Sequence, residues 1–176
     1  MLLRFILAIF ILVLILGGSA AADDAYITKL ISKLDAYFIW SAEKKFEGGD
    51  KSIVISAVGK SDLITSVKAL NSEKSSTGKP IKVRVVEPDM IPSNSHVLVL
   101  GVSDTTLIKK VTGLLKESGT LIVTNGVGYG SYGSTLNFVD DSSDLSKSLI
   151  ELNVEAAKAQ DLTVRPSLLK IAKKLK

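Results

Sequence analysis

Four short apolar runs govern what this chain can become: SIVISAVG (52–59), IKVRVV (81–86), HVLVLGV (96–102) and TLIVT (120–124). Each is rich in β-branched residues and too brief for a buried helix. IKVRVV alternates, while the mostly unbroken apolar character of the other three suits strands covered on both faces. Helical periods lie between them. Ser61 and Asp62 open one helix, with Leu63, Ile64, Val67 and Leu70 on one side; SDTTLIKKVTGLLKESG (103–119) is a second, with Leu107, Ile108, Val111, Leu114 and Leu115 in phase and Gly119 as its stop. Strands that alternate with capped helices predict parallel crossover units. Further on, TLNFVDD and KSLIELN face each other across DDSSD as a hairpin, which makes the sheet mixed.

The ends are read as helical. Tyr26, Ile27, Leu30, Ile31, Leu34, Tyr37 and Phe38 fall at spacings of three and four, predicting an amphipathic helix from Tyr26 to Trp40 that closes in the cluster YFIW. VEAAKAQD (154–161) is a short alanine-rich helix, and Pro166 starts a last one that buries Leu168, Leu169, Ile171, Ala172 and Leu175. The expected fold is a single α/β domain over residues 23–176, with a mixed, mostly parallel β-sheet flanked by helices and a C-terminal hairpin and helix.

Residues 1–22 read as a secretory signal peptide. Arg4 precedes an apolar run from Phe5 to Leu16, and Ala20-x-Ala22 sets cleavage before Asp23. An uncleaved anchor is the alternative, but the run is short of the roughly 20 residues of a spanning helix. The sequence has no cysteine, so it offers neither a lipid-attachment site nor a disulfide. Loss of Arg4 takes the net charge from +4 to +3, and the lysines are scattered. A nucleic acid partner would demand clustered cations near stacking aromatics, so none is expected.

Several short stretches imitate chemical motifs, and their surroundings tell against each. GYGSYG (128–133) has Gly-x-Gly-x-x-Gly spacing, but the strand-like STLNFV follows where a dinucleotide site needs a helix N-terminus. A flexible turn or a ligand-facing loop is expected instead. Gly59-Lys60-Ser61 imitates the end of a P-loop, yet Val54 stands where its first glycine belongs, and Ser61 reads as an N-cap. Asp140, Ser142 and Asp144 alternate like calcium ligands, but Leu145 replaces the required glycine, leaving a hairpin turn. His96 is the only histidine, and a structural role is its default. No serine sits in a nucleophile elbow. No catalytic residue, metal site or cofactor is therefore expected. Phe38 and Trp40 are candidates for a binding anchor, and Tyr129 and Tyr132 are candidates for ligand or partner contact as exposed aromatics on a loop.

The order of segments carries a resemblance: a leader, an aromatic-Ile-Trp cluster, GKPIKV, NSHVLVLG, a glycine loop running into GSTLNF, and ELNVEAAKAQDLTVRPSLLKIA. Over nearly all of residues 23–176 the chain resembles the YfiR-like family of periplasmic regulatory proteins. His96, Gly133, Asn137, Phe138, Asn153, Ala157, Ser167, Leu168 and Leu169 fall on the family pattern. The resemblance implies a non-catalytic, often dimeric protein that binds the periplasmic part of an inner-membrane signalling protein. The implied partner is a diguanylate cyclase, whose release raises cyclic-di-GMP and favours biofilm. A periplasmic small-molecule-binding sensor module serving a sensor kinase is the alternative. The chain departs from the pattern in lacking the cysteines of a thiol switch, in having Trp40-Ser41 for the usual Trp-Pro, and in its loop tyrosines.

Overall fold

The computed structural model describes residues 20–43, 46–47, 49–140 and 148–175. In chain order the elements are α1 (Ala20–Ile31), β1 (Phe38–Trp40), β2 (Ile53–Gly59), α2 (Asp62–Lys68), β3 (Ile81–Val85), β4 (Val97–Gly101), α3 (Thr105–Leu114) and β5 (Leu121–Asn125). They continue with β6 (Leu136–Asp140), β7 (Ser148–Asn153), α4 (Val154–Ala159), β8 (Leu162–Val164), α5 (Pro166–Leu169) and β9 (Lys173–Leu175). Short 3₁₀ turns cover Leu34–Ala36, Gly49–Lys51 and Tyr129–Tyr132.

Seven strands form one sheet in the order β3-β2-β4-β5-β6-β7-β9. Every neighbouring pair is parallel except β6 with β7. This is the mixed, mostly parallel sheet expected. Side chains alternate across it with the strand period of two. Val97 and Val99 of β4 and Leu121 and Val123 of β5 face a large core, where α1 contributes Ile27, Leu30 and Ile31 and α2 contributes Leu63, Ile64 and Val67. Leu98, Leu100 and Ile122 face the other way, onto Ile108 and Val111 of α3. Burial on both faces explains why these strands lack polar alternation.

Three expectations are corrected. The helix read through Trp40 stops at Ile31, and Phe38–Trp40 instead form β1, antiparallel to β8 with Phe38 opposite Val164. Leu34 and Phe38 are both buried, so their four-residue spacing satisfied a helix period while a remote strand took the backbone. The last helix ends at Leu169, and Lys173–Leu175 add to the free edge of β7 as a parallel strand; Ile171, expected in the core, is 53% exposed. Leu114, expected on the buried stripe of α3, is 70% exposed, because Ile108, Val111 and Leu115 are the side chains that α3 turns into the core.

The loop imitating calcium ligands lies outside the described residues beyond Asp140, as do residues 1–19 of the expected leader. α1 starts at Ala20, ahead of the expected cleavage point. Among the described residues no helix is long and apolar enough to cross a membrane.

Candidate functional site

The four candidate aromatics fall in two separate places. Phe38 and Trp40 reach theirs through β1: pairing with β8 turns Phe38 into the core and leaves Trp40 half-buried. The Trp40 indole Nε1 donates to the His96 carbonyl at 3.1 Å, and its ring meets His96 edge-on at 5.6 Å between centroids. Phe46 stacks on the other side of the imidazole at 4.2 Å. His96 Nδ1 accepts the Val54 N–H at 3.2 Å, which places the proton of the neutral ring on Nε2. The histidine is thus a structural tie between β2 and β4, as the sequence suggested.

These rings wall a cleft of about 300 Å³, whose polar side carries Asp35, Lys79 and Arg165. Burial would raise the Asp35 carboxyl, but hydrogen bonds from Ser75, Ser76 and Thr77 outweigh it and hold the group below its ordinary value. Its oxygens accept from the Ser76 hydroxyl and from the hydroxyl and backbone N–H of Thr77, the last at 3.1 Å. Asp35 is spent on fixing the 75–77 loop. The two cations remain facing an aromatic cleft, a surface suited to an apolar or aromatic group bearing an acid. Nothing in the sequence pattern joined Lys79 and Arg165 to Trp40 and Phe46, since they come from three segments far apart in the chain.

Tyr129 and Tyr132 flank the second place. Parallel β5 and β6 are joined by residues 126–135 alone, which is short for a crossover, and a single 3₁₀ turn does the work of a helix. Gly128 (φ +80°) and Gly133 (φ +97°) bracket that turn in the left-handed region. The loop is bolted down. Asn137 Nδ2 donates to the Gly126 carbonyl and to Glu151 Oε2, both at 2.9 Å, and Asn153 Nδ2 donates to the Gly130 carbonyl at 3.0 Å. Ser134 Oγ donates to the Tyr129 carbonyl and Thr112 Oγ1 to that of Tyr132, each at 3.0 Å. The tyrosine rings, 6.5 Å apart, are half-buried against the α3-side core, and Lys109 Nζ stands 4.6 Å over Tyr132. The exposed aromatics on a flexible turn expected from sequence are corrected: the glycines let the turn pack tightly. Asn137 and Asn153, recognised as pattern residues, are what hold it. A buried Asn within TLNF, a residue type depleted in strands, was the available signal.

Tyr129 also borders a crevice of about 380 Å³ at the carboxyl ends of β2, β4 and β5, beside Ser61, Asp62, Ser103, Asn125 and Asp24. Chain order reverses between β2 and β4, since β3 lies to one side of β2 and β4 to the other; open α/β sheets hold ligands at such switch points. Gly101 lines the crevice, and Gly59 lies against Gly101 on the neighbouring strand. A Cβ on Gly59 would lie 2.3 Å from the Gly101 carbonyl oxygen, and one on Gly101 would lie 2.3 Å from Ser61 Oγ. Ser61 occupies the N-cap position without making a side-chain cap bond, whereas Asp104 caps α3 through the Thr106 and Leu107 N–H groups. Among the described residues no three acids or histidines converge on a metal site.

Comparison with known proteins places this geometry. A conserved domain protein from Vibrio cholerae O1 biovar El Tor superposes with a TM-score of 0.50 at 13% identity, over 70% of this chain and 54% of that one. The ABC domain in complex with L-Trp from Streptococcus pneumonia gives 0.51 at 15% identity, over 70% and 55%. The chain thus spans about half the length of each, and these likenesses establish the α/β fold alone. No curated protein matches the chain. The family model described as YfiR/HmsC-like matches residues 25–173, from within α1 to the start of β9, and the chain belongs to that family.

Proposed function

We propose that this protein is a non-enzymatic periplasmic regulator that binds the periplasmic part of an inner-membrane signalling protein and restrains a diguanylate cyclase. The observation that carries the reading is the family match over residues 25–173, because YfiR/HmsC-like proteins act as periplasmic regulators of diguanylate cyclase signalling. The pattern residues His96, Asn137 and Asn153 support it in kind, since each is engaged in holding the scaffold and none is offered to a substrate. Restraint requires preferential binding to the partner's inactive state, about 1.4 kcal/mol for each tenfold shift. Trp40 anchors the partner through the aromatic cleft, while Phe38, buried in the core, only floors it, and Lys79 and Arg165 meet an acidic group. Residues 1–22 direct export and are removed in the course of it, which mass spectrometry of the periplasmic protein reads directly.

Deleting the gene is expected to raise cyclic-di-GMP, and complementation with Trp40→Ala to restore control poorly although the protein accumulates. An unchanged cyclic-di-GMP level on deletion would sink the cyclase partner. A second reading has its own support. The switch-point crevice beside Tyr129, and a fold neighbour whose structure holds L-Trp, favour a small-molecule sensor module. Thermal shift against amino acids would then show stabilisation that Tyr129→Ala removes.

A further inference from the structure

Asn125 ends β5 at the switch-point crevice, half-buried and with its side chain unengaged. The sequence has five asparagines, and the other four are put to use. Asn71 accepts from the Val83 N–H and Asn94 from Arg84, while Asn137 and Asn153 bolt the glycine loop. The side chain of Asn125 makes no hydrogen bond among the described residues. Its neighbours across the crevice are in the same condition. The Ser61, Asp62 and Ser103 side chains and the Tyr129 hydroxyl line the same space, and none makes a hydrogen bond or ion pair among the described residues. Ser61 stands where a helix cap is expected, but its hydroxyl lies against Gly101 instead, close enough that only a glycine fits there. The Tyr129 ring is fixed at the wall by packing on Gly126, where a Cβ would fall 2.4 Å from Tyr129 Cε2.

The character of these groups narrows what they can hold. No lysine or arginine lines the crevice and Asp62 faces it, so a phosphate or carboxylate would meet only repulsion. An amine only donates, and would leave the Asn125 amide N–H groups and three hydroxyl protons without acceptors. A ligand that donates and accepts at several adjacent points answers the whole set. We propose that the crevice binds a saccharide ring. Neighbouring sugar hydroxyls donate to Asp62 and exchange hydrogen bonds with the Asn125 amide, Ser61 and Ser103 serve the remaining hydroxyls, and the ring's C–H face lies on Tyr129. At about 380 Å³ the crevice has room for one such ring and its substituents. The proposal rests on the second reading above, that a small molecule occupies this crevice, and narrows its class.

The test is a ¹H–¹⁵N NMR titration of the protein with methyl glucoside, methyl galactoside and N-acetylglucosamine, and in parallel with ethanolamine and L-tryptophan. At least one sugar is expected to shift the Leu63, Val102, Ser103 and Tyr129 amides saturably, with ethanolamine and L-tryptophan weaker by at least roughly tenfold. Asn125→Ala and Ser103→Ala should each weaken that sugar severalfold while Tm holds, because neither side chain has a partner in the fold to lose. A disaccharide of the same sugar that binds more tightly identifies the end of a polysaccharide as the source, and one that binds no better identifies a free sugar; the saccharide site stands in both cases. The two readings fail separately. If ethanolamine or L-tryptophan shifts these amides and no sugar does, the saccharide proposal falls and the sensor reading stands; if no probe shifts them, both fall. A sugar response that Asn125→Ala leaves unchanged, or one spread over the whole surface, would also overturn the proposal.

Discussion

Asn137→Asp changes one side-chain nitrogen to oxygen and should nonetheless cost the protein a large part of its stability at neutral pH. Asn137 is fully buried on β6. Its Oδ1 accepts from Thr124 Oγ1 at 2.8 Å, which the substitution preserves, while its Nδ2 makes the two 2.9 Å bonds to the Gly126 carbonyl and to Glu151 Oε2, which the substitution removes. Losing a neutral bond of about 1 kcal/mol and a bond to a carboxylate of about 1.5–3 kcal/mol gives roughly 2.5–4 kcal/mol. Two carboxyls would then meet where a donor met an acceptor. Burial and the like charge raise the introduced group, so it takes up a proton in the folded state at a pH where the unfolded chain leaves it ionised. The sign follows: the penalty is smallest below about pH 4, where the protonated group again donates one bond, and grows as pH rises toward the raised folded value. Urea unfolding at pH 4 and pH 7.5, followed by circular dichroism, measures both. A loss under 1 kcal/mol at pH 7.5, or the same loss at both pH values, would refute the assignment of Asn137 as the bolt of the glycine loop.

Other outcomes follow from the same geometry. Because hydrogen bonds depress Asp35 in the fold, its contribution is present above the unfolded value near 4 and is lost as pH falls through the folded one. Asp35→Asn should therefore cost about 1–3 kcal/mol at pH 7 and clearly less at pH 3; a pH-independent difference would contradict this. Gly59→Ala and Gly78→Ala both put a side chain at positive φ, but only the first drives a Cβ to 2.3 Å from a backbone oxygen, the second meeting nothing within 4 Å. Gly78→Ala should cost only the backbone strain, about 1 kcal/mol, and Gly59→Ala at least 2 kcal/mol more, as measured by thermal unfolding. Trp40→Phe should lose about 1 kcal/mol with the Nε1 bond to the His96 carbonyl while keeping the cleft's apolar wall.

Local chemistry made much of this protein readable. The β-branched runs at 53–59, 97–101 and 121–125 suit strands covered on both sides, and two of the helices that cover them begin with Asp62 in the first turn of α2 and Asp104 as the N-cap of α3. Strand following strand around GYGSYG excluded a phosphate cradle for the same local reason. What the sequence could not decide was competition between distant segments. Tyr37–Trp40 and Lys173–Leu175 each fit a helical period, and each was claimed by an unpaired strand edge, β8 and β7 respectively. Backbone hydrogen bonds left open at a sheet edge outweigh a helix propensity of tenths of a kcal/mol per residue. The sites depended on such assembly still more. Trp40 and Arg165 come together because β1 pairs with β8, and Phe46 and Lys79, on neither strand, reach the same cleft from elsewhere in the fold. Sequence alone therefore determined the α/β class and the family, through periodicity and the order of motifs; tertiary structure decided which side chains share a cleft, because that depends on pairings between residues far apart in the chain.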